Sequence, residues 1–351
     1  MLLKLNVIIL YSLVAFFMSL VIYPFYIEFL KKIKAGKSIR ESATTWDKAE
    51  IFCQLHSHKA GTPTMGGGLF LVVVLILVTF SFVLQEAGYI NHSLVTREET
   101  YIILFWFFSM WILWLIDDYL NIKWVGKIKW LTAKMKLIWM FTFSAFISYF
   151  FYSRIWVDYI NFWPFAGEVS LNLFYMFLTF IFTVMIVNAI NITDWLDGLA
   201  WWLMIMILFV LWIITFFYGW FLATTVIGIV LGALLAFLWF NINPAKIFMW
   251  DSGALALWWF LASLIYLLNI KMWILFPFLI LFWLFIIELM SSFLQIFWKK
   301  VFKRKLFAIA PYHHLLEHWW RTETNIVMKF WLVQWVLSWL TLLMIFYQLN
   351  M

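Results

Sequence analysis

Ten apolar runs of membrane-spanning length divide this chain, at about 8–30, 67–86, 100–116, 131–153, 172–190, 200–218, 221–240, 254–270, 273–297 and 327–349. A helix needs about 20 mostly apolar residues to cross a bilayer. The expected fold is therefore an all-α polytopic membrane protein of about ten transmembrane helices. With no internal repeat and no low-complexity linker, residues 1–351 read as one integral-membrane domain. Composition agrees: 66% of residues are hydrophobic and 12% charged, against roughly 45–50% and about 25% in soluble domains. A cytosolic protein, a disordered chain and a disulfide-knit secreted module are excluded. The single cysteine, Cys53, allows neither an internal disulfide nor a Cys-based zinc site. The first run ends in Lys31-Lys32 and reads as a retained helix rather than a cleaved signal.

Basic residues set the orientation. With both termini outside, the loops after runs 1, 3, 5, 7 and 9 are cytoplasmic and hold 20 of the 24 Lys and Arg. The opposite side holds Lys4, Arg97, Arg154 and Lys271. That asymmetry is the positive-inside signature. The net charge of +7 then fits loops facing anionic lipid or an anionic substrate, and not nucleic acid.

The acidic residues carry the chemistry. Asp117 and Asp118 stand at the cytoplasmic end of the third run, Asp194 and Asp197 in the loop after the fifth, and Asp251 in the loop after the seventh. Five of the seven Asp thus share one face. Each close carboxylate pair repels by about 1 kcal/mol even in bulk water. Such a cluster calls for a cation, and hard oxygen donors suit Mg²⁺ or Mn²⁺. Lys59, Lys123, Lys127, Lys129, Lys134, Lys136 and Lys246 lie on the same face. Carboxylates, a metal and lysines are the equipment of phosphoryl transfer, although positive-inside topology alone also supplies lysines. Gly61-Thr62-Pro63-Thr64-Met65-Gly66-Gly67 opens the second run. It can bind an anion through free N–H groups or serve as a plain N-terminal turn; it lacks the Gly-Lys-Ser/Thr ending of a P-loop. His313 and His314 follow Pro311 and suit substrate contact or proton handling, or simple solvation. Glu288, inside the ninth run, should face the bundle interior as a structural hydrogen-bonding residue.

Together these motifs resemble a known family. Gly61–Gly67, Asp117-Asp118-Tyr119, the stretch from Asn188 through Asn191, Asp194 and Asp197 to Ala200, the stretch Phe237–Lys246 with Asn241, Phe248-Met249-Trp250-Asp251 and Pro311-Tyr312-His313-His314 occur in the order seen in the phospho-N-acetylmuramoyl-pentapeptide-transferases. These belong to the polyprenyl-phosphate N-acetylhexosamine-1-phosphate transferases. The similarity runs from about Lys37 to Trp331.

The resemblance implies ten helices with both termini outside, in a bacterial inner membrane, with the active site facing the cytoplasm. It implies transfer of phospho-N-acetylmuramoyl-pentapeptide from UDP to undecaprenyl phosphate, with UMP released and Mg²⁺ required. By motif position Asp251 is implied as the Mg²⁺ ligand or a nucleophile. Asp117 is implied as the residue that deprotonates or positions the lipid phosphate, with Asp118 in support. Asn191, Asp194, Asp197, Asn241 and Phe248 are implied for the nucleotide, Phe248 by stacking on uracil. Lys59 and Lys136 match residues near the phosphates. His313 and His314 match the start of a His triplet whose third member is here Leu315. A homodimer is compatible with the resemblance, and the sequence leaves oligomeric state open.

Tryptophan is the departure. The chain has 26 Trp and 13 Gly, whereas transmembrane helices are usually richer in Gly than soluble ones. Trp114, Trp195, Trp250 and Trp320 stand at family Gly positions, and Trp130, Trp139, Trp258 and Trp259 at or near others. Trp239 and Trp331 match family Trp. Glycine serves where backbone approaches a ligand or takes positive φ, and an indole fills that space. A gene that encodes glycine with UGA, read with UGA as tryptophan, produces this pattern; UGG codons at Trp114, Trp195 and Trp250 would refute it. Competing readings are a transferase for UDP-N-acetylglucosamine or a similar sugar, a transporter or channel using buried charge as an ion path, and an inactive relative.

Overall fold

The computed structural model describes residues 2–36, 59, 61–123, 133–154, 158–161, 168–271, 275–320 and 322–349. Lys37, Cys53, Lys127, Lys129 and Trp130 lie outside the described residues, as do the side chains of Lys123, Lys134, Arg154, Lys271 and Trp320. The described residues are helical nearly throughout. Its helices are α1 (Leu2–Lys32), α2 (Gly66–Glu86), α3 (Glu98–Lys123), α4 (Ala133–Arg154), α5 (Leu173–Thr193), α6 (Leu199–Phe217), α7 (Phe221–Asn241), α8 (Trp250–Lys271), α9 (Leu275–Leu281), α10 (Trp283–Phe302), α11 (Tyr312–Trp320) and α12 (Glu323–Leu349). Among the described residues nine of these, α1 to α8 and α12, are long and apolar enough to cross a membrane.

The ninth expected span differs. Its described residues, 275–297, do not form one helix; α9 stops at Leu281 and α10 starts at Trp283. Hydrogen bonds from α12 serve this broken segment. Gln334 Nε2 donates to the Leu281 carbonyl at 3.0 Å and Thr341 Oγ1 to the Pro277 carbonyl at 3.3 Å. Non-helical backbone at membrane depth survives only where protein supplies such partners. Between α4 and α5 in the sequence, β1 (Tyr159–Asn161) pairs antiparallel with β2 (Glu168–Ser170).

Burial decides which helices face lipid. The apolar stretch of α8 is 94% buried, whereas that of α1 is 17% buried. A helix apolar on every side belongs at the centre, and α8 packs there against α2, α3 and α5. Helix α1 lies along α7, where Gly228 and Gly232 sit one turn apart. A Cβ on Gly232 would stand 2.1 Å from the Ser12 carbonyl oxygen. Small residues at this spacing let two membrane helices meet backbone to backbone. The same device crosses α2 with α8: a Cβ on Gly67 would stand 2.3 Å from the Gly253 Cα. That second crossing brings the Gly61–Gly67 turn against the start of α8.

Many tryptophans are inside rather than at the interfaces. Trp114, Trp201, Trp258 and Trp259 are among the largest fully buried side chains. The indole N–H groups of Trp111, Trp114, Trp201, Trp202, Trp212, Trp258 and Trp331 are buried without a hydrogen-bond partner. A buried indole N–H usually finds one, and each orphaned donor costs about 1–3 kcal/mol.

Candidate active site

Three of the five clustered Asp converge. Asp117 and Asp118 lie inside α3, more than a turn before its end at Lys123. Asp251 lies in the first turn of α8 rather than in the preceding loop. Carboxylate oxygens of the three lie within 4.8 Å of one another. Asp117 and Asp118 are fully buried, while Asp251 is 27% exposed. The sequence expectation of five carboxylates around one centre is therefore corrected to three. Asp197 belongs to a second cluster, and Asp194 ends α5, its N–H bonded to the Ile190 carbonyl at 3.0 Å.

Lys136, near the start of α4, bridges the trio. Its Nζ is 2.7 Å from Asp117 Oδ2 and 2.5 Å from Asp251 Oδ2, and it stands 5.3 Å from the Trp114 ring centroid. Asp118 Oδ2 accepts the Ser252 backbone N–H at 2.9 Å, which ties α3 to the start of α8. Asp117 Oδ1 and Asp118 Oδ1 are buried without a hydrogen-bond partner. Three carboxylates share one ammonium, so their full ionisation calls for a further cation. At an effective dielectric near 20, two charges about 4 Å apart interact by about 4 kcal/mol. The buried orphan oxygens and the all-oxygen donor set fit a hard divalent cation.

The strip that carries Asp251 is laced to the Gly61–Gly67 turn. Phe248 N–H donates to the Pro63 carbonyl at 2.8 Å. Gly66 and Gly67 N–H donate to the Phe248 and Met249 carbonyls at 2.8 and 3.2 Å. The N–H groups of Gly66 and Gly67 are thus spent on this strip. Phe248 is buried at 6% exposure. Asn241, at the end of α7, accepts the Gly198 N–H at 3.2 Å and donates to the Ile247 carbonyl at 2.8 Å. Asn191, half-buried near the end of α5, shares that end with Asp194. Left-handed backbone opens three helices here: Met65 has φ +70° before α2, Gly198 has φ +75° before α6, and Trp250 has φ +64° at the first residue of α8.

The histidines sit in carboxylate pairs of their own. His313 Nδ1 is 2.8 Å from Glu288 Oε2, and His314 Nδ1 is 2.7 Å from Glu317 Oε2. All four side chains are buried, and the two rings lie 4.2 Å apart at 61°. Glu288 also accepts the His313 backbone N–H at 3.3 Å, which matches its expected structural role. Sequence reasoning missed Glu317, which the i+3 spacing from His314 on a helix could have signalled. It also missed Glu323, the acidic residue in the first turn of α12. Glu323 Oε1 is 2.6 Å from Lys59 Nζ, which is 2.8 Å from Asp197 Oδ1.

Membrane-spanning helices around a carboxylate trio with a bridging lysine define a class of integral-membrane group-transfer proteins. Residues 100–269 match the family described as Glycosyl transferase family 4. The phospho-N-acetylmuramoyl-pentapeptide-transferase of Dictyoglomus turgidum is 33% identical, over 93% of this chain and 95% of its own length. That of Clostridium acetobutylicum is 32% identical over 92% and 94%, and that of Staphylococcus saprophyticus 31% over 92% and 94%. The chain belongs to the phospho-N-acetylmuramoyl-pentapeptide-transferase family.

Proposed function

We propose that this protein transfers phospho-N-acetylmuramoyl-pentapeptide from UDP to undecaprenyl phosphate and releases UMP, with Mg²⁺ as cofactor. The observation that carries the reading is the convergence of Asp117, Asp118 and Asp251, with Lys136 held between Asp117 and Asp251. The site opens toward the bacterial cytoplasm, with both termini on the external side; the 20-to-4 split of basic residues supports this.

The reaction brings a phosphate against a pyrophosphate, anion to anion. Asp117, Asp118 and Asp251 would hold the metal, which when bound supplies charge neutralisation at the phosphates. Lys136 is about a quarter exposed and adds positive charge where the substrates enter. Asp117 and Asp118 lie beneath it, packed away from water and fixed by α3. Asp117 keeps one buried oxygen without a hydrogen-bond partner, so it has capacity to orient or deprotonate the lipid phosphate. Holding two reacting groups in register removes a large part of such a barrier. Asp194, Asn191 and Phe248 form the nucleotide side.

Donor choice tests the reading. With undecaprenyl phosphate and Mg²⁺, the protein is expected to make lipid-linked product from UDP-N-acetylmuramoyl-pentapeptide and none from UDP-N-acetylglucosamine. A chelator should abolish product and added Mg²⁺ should restore it. Product from UDP-N-acetylglucosamine alone would move the protein to the neighbouring transferases, and product that survives chelation would remove the metal.

A further inference from the structure

We infer that Glu323, at the start of the last helix, is a positioning residue for the nucleotide end of the active site, acting through Lys59 and Asp197. The inference rests on the function proposed above. An ammonium has three N–H donors. Lys59 Nζ has three acceptors: Glu323 Oε1 at 2.6 Å, Asp197 Oδ1 at 2.8 Å and the Trp195 carbonyl at 3.2 Å. Lys59 is 4% exposed. It has no donor left for a substrate phosphate, so it acts as a tie between segments.

Glu323 Oε1 also accepts the Asp197 backbone N–H at 2.6 Å. It thus grips the 194–198 turn both directly and through Lys59. The other oxygen of Asp197, Oδ2, accepts the Ala245 N–H at 3.0 Å and the Asn243 side-chain amide at 3.1 Å. The 243–245 stretch runs on into Phe248 and Asp251. One carboxylate on α12 therefore fixes the turn that carries Asp194 and the strip that leads to the carboxylate trio. Removing it leaves Lys59 buried with half its countercharge, and a buried charge that loses a partner pulls its surroundings into a new arrangement or draws in water.

The test compares Glu323→Ala and Glu323→Gln with the parent protein in detergent. Binding of UMP is measured by calorimetry, and KM for the UDP donor is measured separately from KM for undecaprenyl phosphate. Glu323→Ala is expected to weaken UMP binding and raise the donor KM by about tenfold or more, with the lipid KM and kcat changed less than about threefold. Glu323→Gln keeps the acceptor for the Asp197 N–H but drops the charge, so an intermediate shift is expected. A merely structural role would lower the melting temperature and the active fraction, and with it kcat, while UMP affinity stayed at the parent value. UMP affinity within twofold of the parent in folded Glu323→Ala overturns the inference; if that variant does not fold, Glu323→Gln decides on the same criterion. A parent that binds UMP but makes no lipid product, both as written and with glycine at residues 195 and 250, sinks the proposed reaction, and the UMP data still decide the role of Glu323.

Discussion

Trp250→Gly is expected to raise the rate of UMP release by about tenfold or more and to raise the melting temperature. Trp250 opens α8 with φ +64°, beside Asp251. The left-handed region costs an L residue with a Cβ roughly 1–2 kcal/mol, and relieving it raises folding stability; the faster rate is expected from removing the indole next to Asp251, where glycine lets backbone approach the substrate. Before α6 the left-handed residue is Gly198, which takes φ +75° without that cost, whereas Met65 before α2 bears it at φ +70°. We propose that Trp250, and with it Trp114, Trp195 and Trp258, occupies a glycine position of the functional protein. Trp195 contributes a different observation: its backbone carbonyl accepts from Lys59 while its side chain is 36% exposed beside Asp194. A Trp250→Gly protein no more stable and no more active than its parent, together with UGG codons at these positions, would defeat the proposal.

Asp251→Asn is the second large effect. In the Trp250→Gly background it is expected to lower UMP release by about a thousandfold or more, the scale on which electrostatic stabilisation of a developing charge operates. Asp251 is the trio's most exposed member and one of the two carboxylates that hold Lys136. The amide removes one negative charge from the metal-binding set and releases the lysine from its bridge. Two observables separate these losses. Mn²⁺ binding followed by electron paramagnetic resonance should weaken in Asp251→Asn. In Lys136→Met the affinity for Mn²⁺ should hold or rise, because a competing cation is gone, while the rate still falls. Wild-type Mn²⁺ affinity and rate in Asp251→Asn would remove the residue from the site.

The fold was legible in the sequence where a single physical rule dominates. Eight apolar runs from 8–30 to 254–270, and the last at 327–349, became helices because lipid leaves the backbone no other partner. Their ends were misjudged where the helix continues into charge. Asp117, Asp118 and Asp251 read as loop or end residues because hydropathy stops at a carboxylate, whereas the hydrogen-bond ladder does not. The break at Phe282 was invisible because the side chains that serve it, Gln334 and Thr341, lie more than 50 residues away.

The site was legible as a list of residues and not as an arrangement. Asp117, Asp118 and Asp251 converge as their shared face suggested. Lys59 and Asp197, expected at the substrate, grip each other with Glu323. Nothing in the spacing of residues 59, 197 and 323 signals that contact, since three separate segments must fold before it exists. His313 and His314 likewise each gained a carboxylate, one from α10 and one from the next turn of their own helix.

The most direct test is UMP release from UDP-N-acetylmuramoyl-pentapeptide by the folded protein, as written and with glycine at residues 195 and 250. UMP should appear one-for-one with lipid-linked product, only when undecaprenyl phosphate and Mg²⁺ are both present, and faster in the glycine protein. Two folded proteins that bind donor and lipid yet release no UMP would contradict the account.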